Sequence, residues 1–288
     1  MSNGHLATSV QGLVQRYLER FETHAWNRFR AFSWDSVQGG LLTEEQIDAL
    51  KTAMLVEDHI PGYSKAYYGM LSLDPGLPLD ELLFRRQMLH FVFLWACDED
   101  RHAHTLENYL RASGRVDPAA LTSEMLTAVA KPYRAPHDEP MQMAVYTVIQ
   151  EKATQVFYSC LRDVVEEPVL KRVLDSLSQD EARHCGFFTD LLRMYLAVPG
   201  GADYALIKEA VVGFKMPLHG TLDNYKRRAI TMMRAATGYH YRNAFALIEQ
   251  AVGRYAGARS DSRSHTLEDL LKALEARSDR HPAGRRHA

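Results

Sequence analysis

The pattern Asp-Glu-x-Arg-His occurs twice in this chain, at 98–102 in "DEDRHAHTL" and at 180–184 in "DEARHCGFF". Both copies lie inside long stretches whose apolar residues recur at helical spacing. In a helix, positions i and i+3 share a face, so Glu99 with His102, and Glu181 with His184, each present a carboxylate beside an imidazole. A bare acid-x-x-His pair says little, because 36 acidic residues and 13 histidines in 288 positions yield roughly 1.6 such pairs by chance. The longer match, repeated within two apolar helices, is a coincidence expected in well under about one chain in a thousand. It restricts the fold to one that can use two such helices together.

Almost every long segment shows helical periodicity, and none shows the alternation bounded by turn residues that marks a strand, so the sequence predicts an all-α protein. Helices are expected over 6–30, 43–71, 78–112, 118–132, 139–165, 168–196, 203–215, 218–236, 239–256 and 265–277. Thr43 with Gln46 forms a capping box, and Gly114 can end one helix before Asp117 and Pro118 cap and begin the next. "DPGLP" and "KPYRAPHDEP" read as loops. One domain is expected over 1–258, followed by a polar, basic C-terminal helix and tail over 259–288.

Composition narrows the function classes. The 34 basic and 36 acidic residues nearly cancel, so no global field draws the chain to nucleic acid or to an anionic membrane, and an anionic partner needs a local patch. Cys97, Cys160 and Cys185 are odd in number and lack CxxC spacing, which argues against a disulfide framework or a zinc knuckle and fits a reducing cytoplasm. The N-terminus lacks the signature of a signal peptide. The longest apolar run, "LHFVFLWAC" at 89–97, is too short to span a bilayer and reads as buried helix, so no membrane insertion is expected.

Bundle proteins that hold two iron or manganese ions use a Glu from each of two helices and a Glu-x-x-His from each of two others. Two further carboxylates fit that plan: Glu57 in "MLVEDHIPGYSKAYY" and Glu151 in "YTVIQEKATQVFY", each ahead of one copy of the motif and amid apolar helical sequence. Taken singly, either Glu reads as a partly buried residue paired with Lys or Arg; within the ordered set the metal reading wins. Four carboxylates and two divalent ions neutralise one another, whereas four metal-free carboxylates repel or take up protons. Carboxylate-rich ligation with two imidazoles suits iron or manganese better than zinc. Pro61, four residues after Glu57, has no N–H for that residue's carbonyl and should kink the helix beside its ligand. Thr154, three residues after Glu151, either turns its hydroxyl to the same cavity or bonds back to its own helix. His59, His104 and Cys185 read as packing or surface residues.

The segments "VEDHIPGYSKAYYGML", "DEDRHAHTLENYLRASGRVD", "YTVIQEKAT", "QDEARH" and "KMPLH" resemble, in that order, the acyl-acyl-carrier-protein desaturases, which are ferritin-like di-iron enzymes. The resemblance spans roughly 30–225. It implies a ferritin-like four-helix-bundle core with flanking helices, and Glu57, Glu99, His102, Glu151, Glu181 and His184 as ligands of two Fe ions. It also implies Thr154 beside the oxygen site, and Trp34 joining His102 and Asp180 in an electron-entry path; packing anchor is the other reading of Trp34. The activity implied is desaturation of an acyl chain on acyl carrier protein, with O2 as co-substrate, reduced ferredoxin as electron donor and a homodimer as the assembly. Hydroxylation or N-oxygenation by the same ligand set is the alternative outcome. The chain departs from the plant pattern at Ala66, Gly69 and Met70, where substrate-lining residues fall, so the resemblance does not give acyl length.

Overall fold

The computed structural model describes residues 3–198, 203–240, 243–256 and 264–278. Eleven α-helices account for most of these residues, with no strand among them: α1 Asn3–His24, α2 Glu44–Glu57, α3 Ile60–Met70, α4 Leu79–Ala112, α5 Pro118–Val129, α6 Pro140–Val164, α7 Pro168–Ala197, α8 Tyr204–Gly213, α9 Tyr225–Ala235, α10 Asn243–Ala256 and α11 Ser264–Ser278. The protein is all-α, as the periodicity predicts.

The core is a four-helix bundle of α2 with its continuation α3, α4, α6 and α7. Two contacts fix the directions: Trp95 Nε1 donates to Glu151 Oε1 at 3.2 Å, and the Tyr67 hydroxyl bonds that of Thr147 at 2.9 Å. The residues preceding Glu99 and those preceding Glu151 therefore sit at the same end, and α4 runs parallel to α6. Parallel neighbours need a long crossover, which α5 and its flanking loops supply, as in ferritin-like bundles. Helix α1 packs on α4 and α7, whereas α9 packs on α2, so the four-helix core is covered from two sides.

Local chemistry explains the breaks. The capping box at Thr43 and Gln46 is present, Asp117 accepts from Ala120 N, and Gly114 takes φ +66° where a side chain would be strained. The expected single helix over 43–71 is split: α2 stops at Glu57, and Pro61 sits in the first turn of α3, where its missing N–H costs nothing. Helix α1 ends at His24 rather than near 30, because the Asn27 side chain accepts from the N–H groups of Phe29 and Arg30 and turns the chain. Residues 218–224 form turns with Leu218 and Asn224 at positive φ, which delays α9. The helix expected over 265–277 is α11, which packs on α8 and α10 and buries Leu270 and Leu274; residues 279–288 lie outside the described residues.

Glu167 is a structural carboxylate outside the centre. Fully buried, it caps α7 by accepting from Leu170 N at 2.6 Å, and it also accepts from the Tyr109 hydroxyl at 2.9 Å and from Gln38 N at 3.3 Å. Glu167→Ala removes a cap and strands a buried phenol, so a loss of about 3 kcal/mol is expected in chemical denaturation, with Glu167→Gln retaining most of it. Equal stability of the Ala variant would refute this role.

Candidate metal centre

Glu57 is the last residue of α2, Glu99 and His102 lie midway along α4, Glu151 along α6, and Glu181 and His184 along α7. None is more than 5 % exposed. The structure brings all six together as two overlapping sets, Glu57, Glu99, His102 and Glu181, and Glu99, Glu151, Glu181 and His184, with the potential ligand atoms of each set within 4.8 Å of one another. Glu99 and Glu181 belong to both sets. Two adjacent cations could be held here, with Glu99 and Glu181 available to both and one further Glu and one His to each.

The atoms facing the centre fit such ions. His102 Nδ1, His184 Nδ1, Glu99 Oε1 and both Glu181 oxygens are buried without a hydrogen-bond partner. They nevertheless crowd together: His184 Nδ1 lies 3.0 Å from Glu99 Oε1 and 3.5 Å from Glu151 Oε2, and His102 Nδ1 lies 3.3 Å from Glu181 Oε1. Burial, reinforced by the neighbouring carboxylates, raises Glu57, Glu99 and Glu181 above the usual carboxylate range. Burial also pushes Glu151 up, but Glu181 and His184 outweigh it and hold that group low. Burial pulls His102 down, yet the adjoining Asp180 and Glu181 carboxylates, which favour its protonated form, lift it to about 10. His184 is likewise raised against burial, by Tyr17, Asp98, Glu151 and Glu181. Protons alone hold this cluster together only in part; divalent ions bound by oxygen and imidazole would satisfy every one of these atoms.

The rest of the doubled motif works in a crossed arrangement. His102 Nε2 lies 3.1 Å from Asp180 Oδ2 of the second copy, and His184 Nε2 lies 3.2 Å from Asp98 Oδ2 of the first. Each Arg pairs with the Asp three residues before it: Arg101 with Asp98 at 2.6 Å, and Arg183 with Asp180. Each copy thus supplies a Glu and a His to the centre, an Asp that orients the other copy's His, and an Arg that neutralises that Asp. The Asp contacts on Nε2 leave Nδ1 free for metal in both rings. Burial raises Asp180, but His102 and Arg183 dominate and bring it down to about 2.

Trp26, not Trp34, stands on Asp180: its Nε1 donates to Oδ2 at 2.9 Å. Trp34 is half-buried, has a buried indole N–H without a partner, and packs on Phe32, which packs on Trp26, each pair 5.4 Å apart. The turn at Asn27 is the reason, since it leaves Trp26 over the bundle beside the Arg101 guanidinium at 5.3 Å. The Thr154 hydroxyl donates to Gln150 O at 3.1 Å, the back-bond to its own helix, while the residue also lines a cavity. His59 is buried between Tyr63 and Tyr133, His104 contacts Asp100 and Arg28 at the surface, and Cys185 is buried near Val148 O.

Three contacts escaped the sequence reading. The Tyr158 hydroxyl donates to Glu57, the Tyr17 hydroxyl to Asp98 at 3.4 Å, and the Trp95 indole to Glu151. Tyr158 follows Glu151 by seven residues and Trp95 precedes Glu99 by four, so helical spacing placed both on the ligand faces. Tyr17 had no such signal, because α1 carries no ligand.

A cavity of about 120 Å³ lies between α2, α6 and α9. Ala53, Val56, Phe157, Met216, Ala229 and Met232 make it mainly apolar, while Glu57, Thr154 and Tyr158 bring it to the metal layer. Met233, 47 % exposed, stands at its outer side.

Comparison with known proteins agrees with this architecture. The fatty acid desaturase family matches residues 34–275. DesA2 of Mycobacterium tuberculosis is 26 % identical over 159 residues, covering 55 % of this chain and 54 % of the relative. Stearoyl-[acyl-carrier-protein] 9-desaturase 6 of Arabidopsis thaliana is 26 % identical over 183 residues, covering 62 % and 46 %. The chain thus spans about half the length of the curated relatives it matches. The X-ray structure of DesA2 from M. tuberculosis H37Rv superposes with a TM-score of 0.60 at 18 % identity, covering 91 % of this chain and 98 % of that one, and so shares the fold. With the family matched over most of its length, the chain belongs to the fatty acid desaturases, within the acyl-acyl-carrier-protein desaturase family.

Proposed function

We propose that this protein inserts a double bond into a saturated acyl chain carried on acyl carrier protein, at a carboxylate-bridged di-iron centre formed by Glu57, Glu99, His102, Glu151, Glu181 and His184. The observation that carries the reading is the apolar cavity that meets this ligand cluster at Glu57. Two ferrous ions with dioxygen supply an oxidant strong enough for an unactivated C–H bond, which no side chain can attack. In balance, the chain gives up two hydrogens, and with dioxygen, two electrons and two protons the other product is two waters.

The protein's own residues do the rest. The cavity excludes water and fixes which carbon meets the centre. Thr154 and Tyr158 offer the polar groups beside Glu57, where a proton can be held or passed. Asp98 and Asp180 keep both imidazoles oriented, and Trp26, bonded to Asp180 and thus to His102, takes the electron-entry role that the resemblance implied for Trp34. Reduced ferredoxin is the proposed donor. Carrier proteins are acidic, and α9 exposes Lys226, Arg227 and Arg234 beside the cavity residues Tyr225, Ala229 and Met233. Arg228 is tied to Glu124 instead. A second copy, as in a homodimer, would cover the exposed Tyr68 and Phe93 rings, which lie 5.8 Å apart. No helix among the described residues is long and apolar enough to cross a membrane.

The test is intact mass of a panel of acyl carrier proteins after incubation with the iron-loaded protein, reduced ferredoxin and oxygen. The expected result is loss of two hydrogens on one or more members. Gain of one oxygen would move the function to hydroxylation, and no change across the panel would overturn carrier-bound desaturation.

A further inference from the structure

The cavity approaches the ligand layer from one end of the bundle only as far as Glu57. Its α2 residues Thr52, Ala53 and Val56 precede Glu57, and its α6 residues Phe157 and Tyr158 follow Glu151. The other end, immediately past the ligands, is filled with aromatic rings. Trp95, four residues before Glu99, is 2 % exposed and donates to Glu151. Tyr63 and Tyr67, on α3 beyond Glu57, are buried with ring centroids 6.5 and 5.3 Å from that of Trp95. Each is pinned: the Tyr67 hydroxyl bonds Thr147 on α6, and the Tyr63 hydroxyl donates to Val56 O at 2.9 Å. Tyr133 packs edge-on against Tyr63 at 4.8 Å and closes the same side. Ala66 and Met70 are only partly buried and Gly69 is exposed, so the inward face of α3 belongs to the two tyrosines.

We infer that this aromatic plug makes the slot a dead end at the metal layer, so that the protein takes short acyl chains and oxidises them near the methyl end. The inference rests on the desaturase reading and adds to it the substrate length and the position of attack. A long chain oxidised at its middle needs a channel on both sides of the metals. Here one side holds a cavity of about 120 Å³, below the roughly 300 Å³ at which pockets for whole small-molecule ligands begin, and the other holds packed rings. Length gives a bound. The cavity follows α9 from Tyr225 to Met233, about 12 Å at about 1.5 Å per residue. An extended chain with C–C bonds of about 1.5 Å advances about 1.25 Å per carbon, so roughly ten carbons span that length.

The plug is held by packing rather than by the centre itself, which makes it open to change. Tyr67 touches none of the six ligands in the structure's hydrogen bonds or ring contacts; its partners are Thr147 and Trp95. Removing its ring leaves a void beside Trp95 and Thr147, on the far side of the ligand layer from the cavity.

The experiment has a binding arm and a product arm. In the binding arm, iron-loaded protein without oxygen is titrated with saturated acyl-pantetheine thioesters of graded length. Affinity should rise about fourfold per added methylene until the chain meets the plug, at about ten carbons or fewer, and then fall. Tyr67→Ala should shift that optimum upward, improving Kd about tenfold for a chain two methylenes beyond the wild-type optimum. Tyr67→Phe, which keeps the ring and loses only the bond to Thr147, should leave the optimum in place. Should the Ala variant not fold, Tyr67→Leu replaces it, and the wild-type length profile decides by itself. In the product arm, the double bond should fall within the last few carbons. Affinity that keeps rising into long chains, or a double bond at the middle of one, would overturn the inference while leaving desaturation intact. A short-chain optimum with no loss of hydrogen would support the dead-end slot and count against desaturation.

Discussion

Replacing Glu99 with Ala is expected to empty the centre of both iron ions and abolish turnover, whereas Glu151→Ala should remove about one ion and also abolish turnover. The difference follows from the overlap of the two ligand sets: Glu99 belongs to both, Glu151 to one. Loss of a shared carboxylate leaves each cation with one donor fewer and the site with an unbalanced buried charge, a change of order 3–5 kcal/mol. Iron per chain after anaerobic reconstitution measures it directly. A second readout separates ligand loss from misfolding. With iron chelated, Glu99 adds to the repulsion that raises Glu57 and Glu181, so the Glu99→Ala protein should be more stable than chelated wild type. Normal iron content in Glu99→Ala, or a chelated variant that is less stable than wild type, would sink the assignment.

That these six side chains would cluster was legible, because four of them obey a rule that sequence carries well, the i and i+3 spacing of a helix face, written twice in one order. The reason for the other letters of the motif was not. That Asp98 serves His184 and Asp180 serves His102 is a contact across 86 and 78 residues respectively, set by how α4 and α7 meet and invisible to any local pattern. The two readings of Trp34, electron path or packing anchor, could not be separated for a related reason. Two tryptophans eight residues apart are equivalent to composition, and the choice between them depends on a turn made by the Asn27 side chain. Tyr158 and Trp95 lay within reach of the helical spacing rule, applied one or two turns farther from each ligand.

Helix order was equally readable, while helix ends followed side-chain chemistry. The capping box at Thr43 and the break at Gly114 announced themselves. Pro61 predicted a disturbance beside Glu57, but not that the helix would end there and restart. That restart has a consequence for chemistry: it rotates α3 so that Tyr63 and Tyr67, rather than Ala66 and Met70, face the bundle. The C-terminal helix expected over 265–277 was readable in the same way as α11; what local pattern did not show is the surface of α8 and α10 on which its Leu270 and Leu274 are buried.

Chelating the metal should turn a protein whose stability is nearly level in pH into one that weakens as pH rises from about 6.5 to about 10. The direction follows from the groups in the cluster. In the metal-free fold His102 holds its proton up to about 10, against an ordinary value of 6.5. Its stabilising contribution is fully present below about 6.5 and is lost as pH climbs through about 10, because the native state then binds more protons than the unfolded chain. His184, also raised, acts in the same sense, and so do Glu57, Glu99 and Glu181, whose protonated forms the buried fold prefers. Asp180, held down at about 2, contributes in the opposite sense only on the acid side, where its stabilisation disappears as pH falls. Across the alkaline window the raised groups therefore dominate, and the chelated protein should lose several kcal/mol, order of magnitude, in denaturant titrations. Divalent metal takes over the role of those protons: binding should release them into an unbuffered solution, and the loaded protein should vary far less over the same window. Manganese(II) serves as the probe where iron would oxidise. Parallel pH profiles with and without metal, or metal binding without proton release, would mean that the cluster is not a metal centre but a proton-sharing core.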